Sequence, residues 1–597
     1  MSSDRRSRSS LDACLVGLLM GVTACAAGQP REPAFVSGTE HVKNPAPPEG
    51  APITLDGIQL AAKSSGHNQG SAWILDANGY VGTYLHLDAP GAVTVSVLAG
   101  TGGGSCKPFM VVGVADTRVG FEIGPEREYP ETVNLSGGTH FFRVDLTNAA
   151  CAGALRVAKL SVWGATVLNQ ASDANALAAA DTYIASSRRG RARLRIDGAA
   201  PGTPVHLKLK HHAFHFGVNI PGVTNRFLIE GAKPDSEAGR FQRFVLDHFN
   251  TVVPSNAGKW EYNEGTRGFV TMEYVDLILR WAARHGMHAR MHTLLWDSPQ
   301  QPAWVQDLVA AALAGDVAAK EDLARAIARR IRYYVHDRGE MYQEVDVVNE
   351  SLHHPSYTNL LGDADLRDLF NQVARSSRDV GGAVRGYLNE FNVLQSSHVL
   401  EPGPTPGQVK EGAADPYANW YRRHVDGLRT DGAELGGIGV QYYADPRPDI
   451  ESPHSPSRIY QTLQNLTATG LPVTLTEFGV QKGGAPADAA RVLEDTMRLT
   501  FGTPGANGFV MFGFWEGAIS DFAPAAVLVD KDWKPTEAGS RYDTLMSSWS
   551  TELASVVGPD GTLEMTGYFG DYAVEVGGKT LAFWLVKGQS DYALSVR

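Results

Sequence analysis

Short runs of alternating apolar and polar residues fill the chain from about residue 51 to residue 165. Val93–Leu98, Phe141–Leu146 and Leu155–Val162 are examples, and glycine-rich turns such as Gly100–Gly104 separate them. A period of two is typical of strands that bury one face, and short strands joined by regular turns are typical of a sandwich. The pattern therefore predicts a β-sandwich over residues 51–165.

A second pattern begins near residue 170, where strand-like apolar runs alternate with longer amphipathic segments such as Val309–Tyr334. Eight strand-like runs follow one another at residues 212–220, 249–256, 288–296, 344–350, 385–391, 437–443, 471–479 and 508–515. Eight strands separated by helix-length segments are typical of a (β/α)8 barrel. We therefore predict an α/β fold with a TIM barrel over residues 170–548, followed by a small β extension over residues 549–597.

Residues 1–25 resemble a bacterial lipoprotein signal peptide. Three early arginines precede the apolar run Leu15–Ala24, which is too short to span a bilayer and ends at Cys25. The resemblance implies cleavage before Cys25, lipidation of its thiol and an extracellular or cell-surface location. A plain signal peptide with an incidental cysteine is the alternative. Residues 26–50 hold five prolines, which predicts a solvated linker.

Charge and cysteine content narrow the possible partners. The 597 residues include 65 acidic and 53 basic side chains, a net charge of −12, which argues against nucleic acid as a partner. Once the signal is removed, Cys106 and Cys151 remain and share the predicted sandwich, so we expect a disulfide, with two buried thiols as the alternative. The histidines form no spaced pair with cysteines, so we predict no metal site and no cofactor.

Two of the predicted barrel strands end in glutamate. The fourth ends in Val347-Val348-Asn349-Glu350 and the seventh in Leu475-Thr476-Glu477. Reacting groups of such barrels lie at the carboxyl ends of strands. One carboxylate there can be a structural cap, but two across one barrel mouth match the acid and nucleophile pair of a glycosidase.

Six segments resemble the strand-end motifs of glycoside hydrolase family 10, in their usual order. They read VVPSNAGKWE, MHTLLWDSPQQPAWV, VDVVNE, GYLNEFN, GIGVQYY and TLTEFGV. The resemblance covers residues 175 to 548, and the C-terminal segment is similar to the tail of plant-like members. It implies a retaining endo-1,4-β-xylanase in which Glu350 is the acid/base and Glu477 the nucleophile.

The same resemblance assigns substrate-binding residues and suggests a role for the sandwich. It places Asn349 on the sugar 2-hydroxyl and puts further residues around the glycone subsites: Asn256, Lys259, His292, Trp296 and Gln441. We expect Trp296 and Trp515 to stack on a sugar and Trp304 to pack. A sandwich before a hydrolase looks like a carbohydrate-binding module, although Trp73, Tyr80 and Tyr84 fit a core as well as a sugar platform.

Four positions depart from the family pattern. Tyr443 stands in place of the usual histidine and Gly479 in place of an aspartate, so we expect a replaced hydrogen-bond network in which Tyr443 donates to Glu477. Ser255 replaces a glutamate and Phe512 a tryptophan, which predicts altered glycone subsites. The expected partner is therefore xylan or a related β-glycan. The alternatives are the same mechanism on another β-glycan or an oligosaccharide, and a non-catalytic surface protein that binds glycans.

Overall fold

A computed structural model describes residues 42–43, 50–101, 106–149, 153–222, 226–228, 230–394, 416–446, 455–519 and 523–596. The predicted signal peptide with Cys25, most of the linker and Cys151 lie outside these ranges. Cys106 is disulfide-bonded. Within the described ranges, none of the helices has the length and apolar character needed to traverse a bilayer.

Two antiparallel sheets form the N-terminal sandwich. Its strands are β1 (Val42–Lys43), β2 (Ile53–Asp56), β3 (Ala62–Lys63), β4 (His67–Gln69), β5 (Ala72–Leu75), β6 (Gly79–Leu87), β7 (Gly91–Thr101), β8 (Phe109–Val114), β9 (Thr117–Glu122), β10 (Arg127–Leu135), β11 (Gly138–Leu146), β12 (Leu155–Trp163) and β13 (Thr166–Leu168). The sheet β1-β10-β7-β12-β5-β4, with β2 on β12, is called the outer sheet here. The sheet β13-β6-β11-β8-β9, with β3 on β6, is called the inner sheet.

Alternation decides which side chains enter the sandwich core. Val93, Val95 and Val97 on β7 are fully buried against the inner sheet, as a period of two requires. Trp73 is 6% exposed, and its indole N–H donates to Ser65 O at 2.8 Å. It is therefore a core residue and not a sugar platform.

The inner sheet packs on the barrel. Tyr80 and Tyr84 point out of the sandwich but are 1% and 0% exposed, because they join the barrel's hydrophobic core. Tyr80 donates its hydroxyl to Gln461 O at 3.1 Å. Asp145 on β11 is buried between Arg143, at 3.0 Å, and Arg422 of the barrel, at 3.3 Å. The sandwich and barrel thus share a buried, charged interface.

The barrel closes from strands that the sequence pattern identified. They are β16 (His215–Ile220), β17 (Thr251–Pro254), β18 (His288–Met291) continued by β19 (Leu295–Trp296), β20 (Glu344–Asn349), β21 (Arg385–Glu390), β22 (Leu435–Ala444), β23 (Val473–Val480) and β24 (Ala506–Met511). All neighbours are parallel, and β18 pairs with β20 to close the ring. The prediction of a (β/α)8 barrel is confirmed.

Helices surround the ring and precede it. They are α1 (Asp173–Ser187), α2 (Glu237–His248), α3 (Trp260–Glu264), α4 (Glu273–Arg284), α5 (Ala303–Leu313), α6 (Val317–Ile331), α7 (Ser356–Arg378), α8 (Pro416–Thr430), α9 (Pro456–Thr467), α10 (Pro486–Phe501) and α11 (Glu537–Ser548). Ser172 caps α1 and Ser236 caps α2 through their side-chain oxygens, as helix N-termini require. Helices α8 and α9 carry the barrel side of the interface with the sandwich.

The C-terminal strands form a second, smaller sandwich that also includes two strands from before the barrel, which the predicted extension did not contain. Strands β25 (Glu552–Val556), β26 (Thr562–Tyr568), β27 (Gly570–Val576), β28 (Lys579–Leu585) and β29 (Asp591–Ser595) pair with β14 (Arg189–Asp197) and β15 (Pro204–His212), in the orders β26-β14-β29 and β25-β15-β27-β28.

The predicted boundaries therefore need correction, because β14 and β15 lie in the range assigned to the barrel. Both strands bury alternate residues only, whereas barrel strands such as β20 are buried throughout. That difference is the one expected between sheets covered on one face and on both. For the same reason the first predicted barrel strand begins at His215 and not at residue 212.

Candidate active site

The two predicted glutamates lie at the carboxyl ends of the fourth and seventh barrel strands. Glu350 directly follows β20, and Glu477 lies in β23 opposite Gln441 of β22. Parallel strands bring their carboxyl ends to one mouth. Burial raises the pKa of Glu477, and the Glu350 charge adds to that rise, as expected for two carboxyl groups at one mouth of the barrel.

Two hydrogen bonds hold the Glu350 side chain. Trp296 donates its indole N–H to Oε2 at 2.6 Å, and Gln441 donates its amide to Oε1 at 2.9 Å. The backbone of Glu350 has a φ of 57°, in the left-handed region that few residues other than glycine adopt. Its N–H donates to Asn389 O at 2.7 Å. Backbone and side chain are thus both constrained, as expected of a preorganised reacting group.

Tyr443 donates its hydroxyl to Oε2 of Glu477, which is the contact expected from the sequence. Burial raises the pKa of Glu477, while His292, the Tyr443 hydroxyl and Lys259 lower it and Glu350 raises it. Burial and the neighbouring Glu477 charge hold the pKa of Tyr443 far above its usual range. The tyrosine therefore stays protonated and remains a donor to the carboxylate.

Lys259 supplies a positive charge beside both carboxylates. Its ammonium donates to Asn256 Oδ1 at 2.9 Å and to Gln300 Oε1, and it lies 5.0 Å from the centre of the Trp296 ring. Burial lowers the pKa of Lys259, while Glu477 and Glu350 raise it. The lysine is only 8% exposed, so its charge is poorly screened at the site.

His292 reaches the same cavity through a chain of buried charges. Its Nδ1 lies 3.0 Å from Asp346 Oδ2, and Asp346 also accepts a hydrogen bond from Arg290. A carboxylate on Nδ1 fixes the orientation of the imidazole and leaves Nε2 for the cavity. The ring centres of His292 and Trp296 are 6.1 Å apart.

Asn349 is held by an amide on the next strand, which the sequence assignment missed. Asn389 donates to Asn349 Oδ1 at 2.8 Å and accepts from Thr476 at 2.5 Å. The amide nitrogen of Asn349 is buried and has no hydrogen-bond partner within the described part of the chain. It is therefore available to a ligand. Asn389 closes an apolar strand run in the quoted GYLNEFN segment, and that position is the signal that would have identified it.

Two of the unusual residues fit one another. A Cβ placed on Gly479 would lie 2.7 Å from Ala523 Cβ and 3.1 Å from Tyr443 Cδ1. Both distances are closer than packed carbon atoms allow. The ring of Tyr443 also contacts Phe512 edge to face, with 5.4 Å between centres. The glycine thus makes room for the tyrosine, and Phe512 supports it from the side.

Three of the remaining predicted site residues, Ser255, Asn256 and Trp515, follow the carboxyl ends of two other barrel strands, β17 and β24. Ser255 and Asn256 begin a 3-10 turn, Asn256–Gly258, at the end of β17. Trp515 is 5% exposed and stacks on Trp533 at 4.5 Å, so its face is occupied by protein. Its indole nitrogen has no hydrogen-bond partner among the described residues. Trp304 packs as expected, edge to face with Trp260 at 5.8 Å.

A histidine cluster at the opposite end of the barrel could offer metal ligands, contrary to the sequence prediction. Atoms of His215, His288 and Glu344 lie within 4.8 Å of one another. Glu344 already accepts from Arg290 at 3.1 Å and from Arg385 at 2.5 Å. Burial alone would raise the pKa of Glu344, but the His288 hydrogen bond and the Arg290 charge hold it far below its usual range. The cluster is better explained as an ion-pair network.

Comparisons with known proteins agree with the motif resemblance. A model of glycosyl hydrolase family 10 matches residues 224–401, which include Glu350 but end before Glu477. Endo-1,4-beta-xylanase 1 of Arabidopsis thaliana is 26% identical over 339 residues, 56% of this chain and 32% of its own. The anti-sigma-I factor RsgI6 of Acetivibrio thermocellus is 27% identical over 376 residues, 62% of this chain and 42% of its own.

Xylanase 10B from Thermotoga petrophila, solved with xylobiose, aligns with 56% of this chain and 94% of its own at 17% identity, with a TM-score of 0.45. A third curated relative, endo-1,4-beta-xylanase 5-like of Arabidopsis thaliana, is 26% identical over 63% of this chain and 59% of its own. The chain thus spans less than two thirds of the length of these curated relatives.

Proposed function

We propose that this protein is a retaining glycoside hydrolase that cleaves β-1,4-xylosidic bonds in xylan by double displacement. The observation that carries the proposal is a pair of glutamates in two different environments at one barrel mouth, Glu350 buried and Glu477 half-buried. A retaining mechanism needs one carboxyl group to donate a proton and the other to attack the anomeric carbon, with the two about 5–5.5 Å apart. The family match over residues 224–401 and the xylanase relatives support the substrate class.

Glu350 is assigned as the acid/base. Its oxygens already bind Trp296 and Gln441, which orient the carboxyl group toward the glycosidic oxygen. In the first step Glu350 gives its proton to the leaving sugar, and in the second it takes a proton from the attacking water. The free amide nitrogen of Asn349 next to it would donate to the sugar hydroxyl at carbon 2.

Glu477 is assigned as the nucleophile, and its surroundings favour the ionised form that attack requires. The Tyr443 hydroxyl, His292 and Lys259 each lower its pKa against the effect of burial. An oxygen of Glu477 forms the bond to the anomeric carbon as the leaving oxygen departs, and water then releases the sugar with retained configuration. No cofactor is required for either step.

Two variants test the assignment on an activated aryl xyloside. Glu477→Ala removes the group that forms the covalent intermediate, so turnover should vanish. Glu350→Ala should still release the aryl group once per site, because a good leaving group needs no proton, and azide should restore turnover with a retained product. Glu390→Gln is the matched control, since it alters a buried carboxyl group at the neighbouring strand end and should keep turnover. Azide rescue of Glu477→Ala with a retained product would reverse the roles.

A second candidate keeps this chemistry and changes the substrate. Ser255, Tyr443 and Phe512 reshape the wall of the site, which favours another β-glycan or a short oligosaccharide. Incubation with xylan, mixed-linkage glucan and mannan, followed by sizing of the products, separates the candidates. A chain that binds these polymers and turns over none of them, including aryl xylosides, would be a surface glycan-binding protein.

The location of the enzyme is a further part of the proposal. The signal-like residues 1–25 support a lipid anchor on Cys25 at the bacterial cell surface. Incorporation of labelled palmitate into the wild-type chain and its loss in Cys25→Ser would support the anchor. Release of an unlabelled wild-type protein into the medium would show a plain signal peptide instead.

A further inference from the structure

A cleft of about 640 Å³ opens on the outer sheet of the N-terminal sandwich. Its lining includes Ile53, Ala92, Thr94, Thr132, Trp163 and Ala165. The inner sheet is the one that packs on the barrel, so this cleft faces away from the active site. Its volume lies within the range of about 300–1,000 Å³ found for small-ligand sites.

The floor of the cleft is one row of side chains across three neighbouring strands. Thr132 of β10 pairs with Thr94 of β7, and Thr94 pairs with Trp163 of β12. The two threonine hydroxyls are 2.8 Å apart, and either can donate to the other. The Trp163 indole N–H donates to Gly50 O at 3.0 Å, which fixes the ring at the end of the row.

The chemistry of this lining selects an uncharged ligand. Among the described residues that line the cleft, none has an ionisable side chain, so a phosphate or carboxylate would lose its water without gaining a charged partner from them. An indole offers apolar area and a fixed ring, and the partly exposed Thr132 hydroxyl, bonded to the buried Thr94, offers a donor or an acceptor. A pyranose ring matches this set, because it presents C–H groups on its faces and hydroxyls at its edge.

We propose that the Trp163 cleft is a binding site for a neutral segment of the polysaccharide on which the barrel acts. The proposal rests on the proposed function for the identity of that polysaccharide. The cleft is a different surface from the sugar platform of Trp73, Tyr80 and Tyr84 that the sequence suggested, because those three side chains are buried. One long chain can occupy both sites at once, whereas a short oligosaccharide occupies them separately.

The buried interface makes the two sites parts of one unit. Asp145 and Arg422 lie between the sandwich and the barrel at 1% and 0% exposure. With the cleft held by such an interface, polymer bound at Trp163 stays near the barrel at a high effective concentration. The gain should appear on long substrates and not on aryl xylosides.

Calorimetric titration with xylohexaose tests the proposal in a Glu477→Gln background, where the probe is not consumed. Two classes of site are expected, and Trp163→Ala should abolish one while leaving the other. Thr132→Val should weaken the same class about tenfold and guards against a Trp163 variant that does not fold. Trp584→Ala, which removes a 51% exposed tryptophan on the smaller sandwich, is the matched control and should leave both classes.

Other outcomes overturn the proposal. The proposal is wrong if the titration finds a single class of site and Trp163→Ala leaves it intact. It is also wrong if Trp584→Ala abolishes one of two classes of site. If xylohexaose binds at the cleft only after residues 26–49 are deleted, that segment and not the polysaccharide is the occupant of the cleft. Turnover of aryl xyloside by the wild-type enzyme is measured in parallel. If the enzyme turns over the xyloside but binds xylohexaose at only one class of site, the cleft proposal is refuted and the proposed function stands. Absence of turnover on every polymer refutes the proposed function.

Discussion

Replacement of Tyr443 by phenylalanine tests how the site keeps Glu477, the proposed nucleophile, ionised. The change removes only the hydroxyl that donates to Glu477 and leaves the ring against Phe512. Burial already raises the pKa of Glu477, so loss of a donor raises it further. Because attack needs the ionised form, the acidic limb of the kcat/KM profile should move to higher pH.

The size of the shift follows from the strength of the lost bond. A hydrogen bond to a charged group contributes about 1.5–3 kcal/mol, and one pKa unit corresponds to about 1.4 kcal/mol. The acidic limb should therefore move up by about one to two pH units. His292 and Lys259 remain in place and continue to lower the pKa of Glu477, which limits the shift to the contribution of the tyrosine.

The assay is the pH profile of aryl xyloside hydrolysis, measured beside thermal unfolding. Tyr421→Phe is the control, because Tyr421 is equally buried and donates to the backbone at Gly439 O at 3.0 Å. It should lose a similar amount of stability and keep the wild-type acidic limb. If the thermal stability of Tyr443→Phe matches that of Tyr421→Phe and its acidic limb does not move, the hydroxyl does not control the ionisation of Glu477 and the reasoning is refuted.

Three further changes test other features. Gly479→Ala should destabilise the protein by about 1–3 kcal/mol in denaturant unfolding, because its Cβ would overlap Ala523 and displace the Tyr443 ring. Arg422→Ala should cost about 3–5 kcal/mol, because it leaves Asp145 buried without its partner across the interface. Thiol titration of the denatured, unreduced mature protein should find neither Cys106 nor Cys151 free, since Cys106 is disulfide-bonded.

Matched variants separate these effects from general damage. Gly427→Ala on α8 meets no atom within 4 Å and should be neutral or stabilising by up to about 1 kcal/mol. Arg378→Ala breaks a pair with Glu434 in which both side chains are about half exposed, and should cost less than about 1 kcal/mol. Equal losses in Arg422→Ala and Arg378→Ala would show that the interface charges are not buried in solution. Two reactive thiols would contradict the disulfide.

The barrel could be predicted from sequence because its strands are buried on both faces. Runs such as Val473–Val480 are apolar along most of their length and recur at helix-length intervals, so all eight were identifiable. The two glutamates could be predicted because carboxylates close two strands across one barrel mouth within motifs that resemble a glycosidase family, whereas a single such carboxylate, like Glu390 paired with His353, can be structural. The contact between Tyr443 and Glu477 was expected from the family resemblance, in which Tyr443 stands in place of the histidine of the nucleophile's hydrogen-bond network.

Partners across long separations could not be predicted in the same way. The alternation in β14 and β15 shows which face is buried and leaves open which strands they pair with. Arg422 lies on an amphipathic helix and resembles a solvated charge until the inner sheet is placed against it. The Trp163 cleft forms because β10, β7 and β12 pair side by side in one register. The sequence of any one of these strands does not show that pairing.

The smaller sandwich also constrains the order in which the polypeptide can fold as it leaves the ribosome. Its strand β14 precedes the barrel, whereas its neighbours β26 and β29 are synthesised only after the barrel is complete. Until then, the apolar face of β14 and both of its edges stay uncovered, and such edges readily pair with other chains. The protein therefore depends on its last strands to cover an apolar surface and two strand edges that form near residue 189, and incomplete chains can pair with one another until those strands are present.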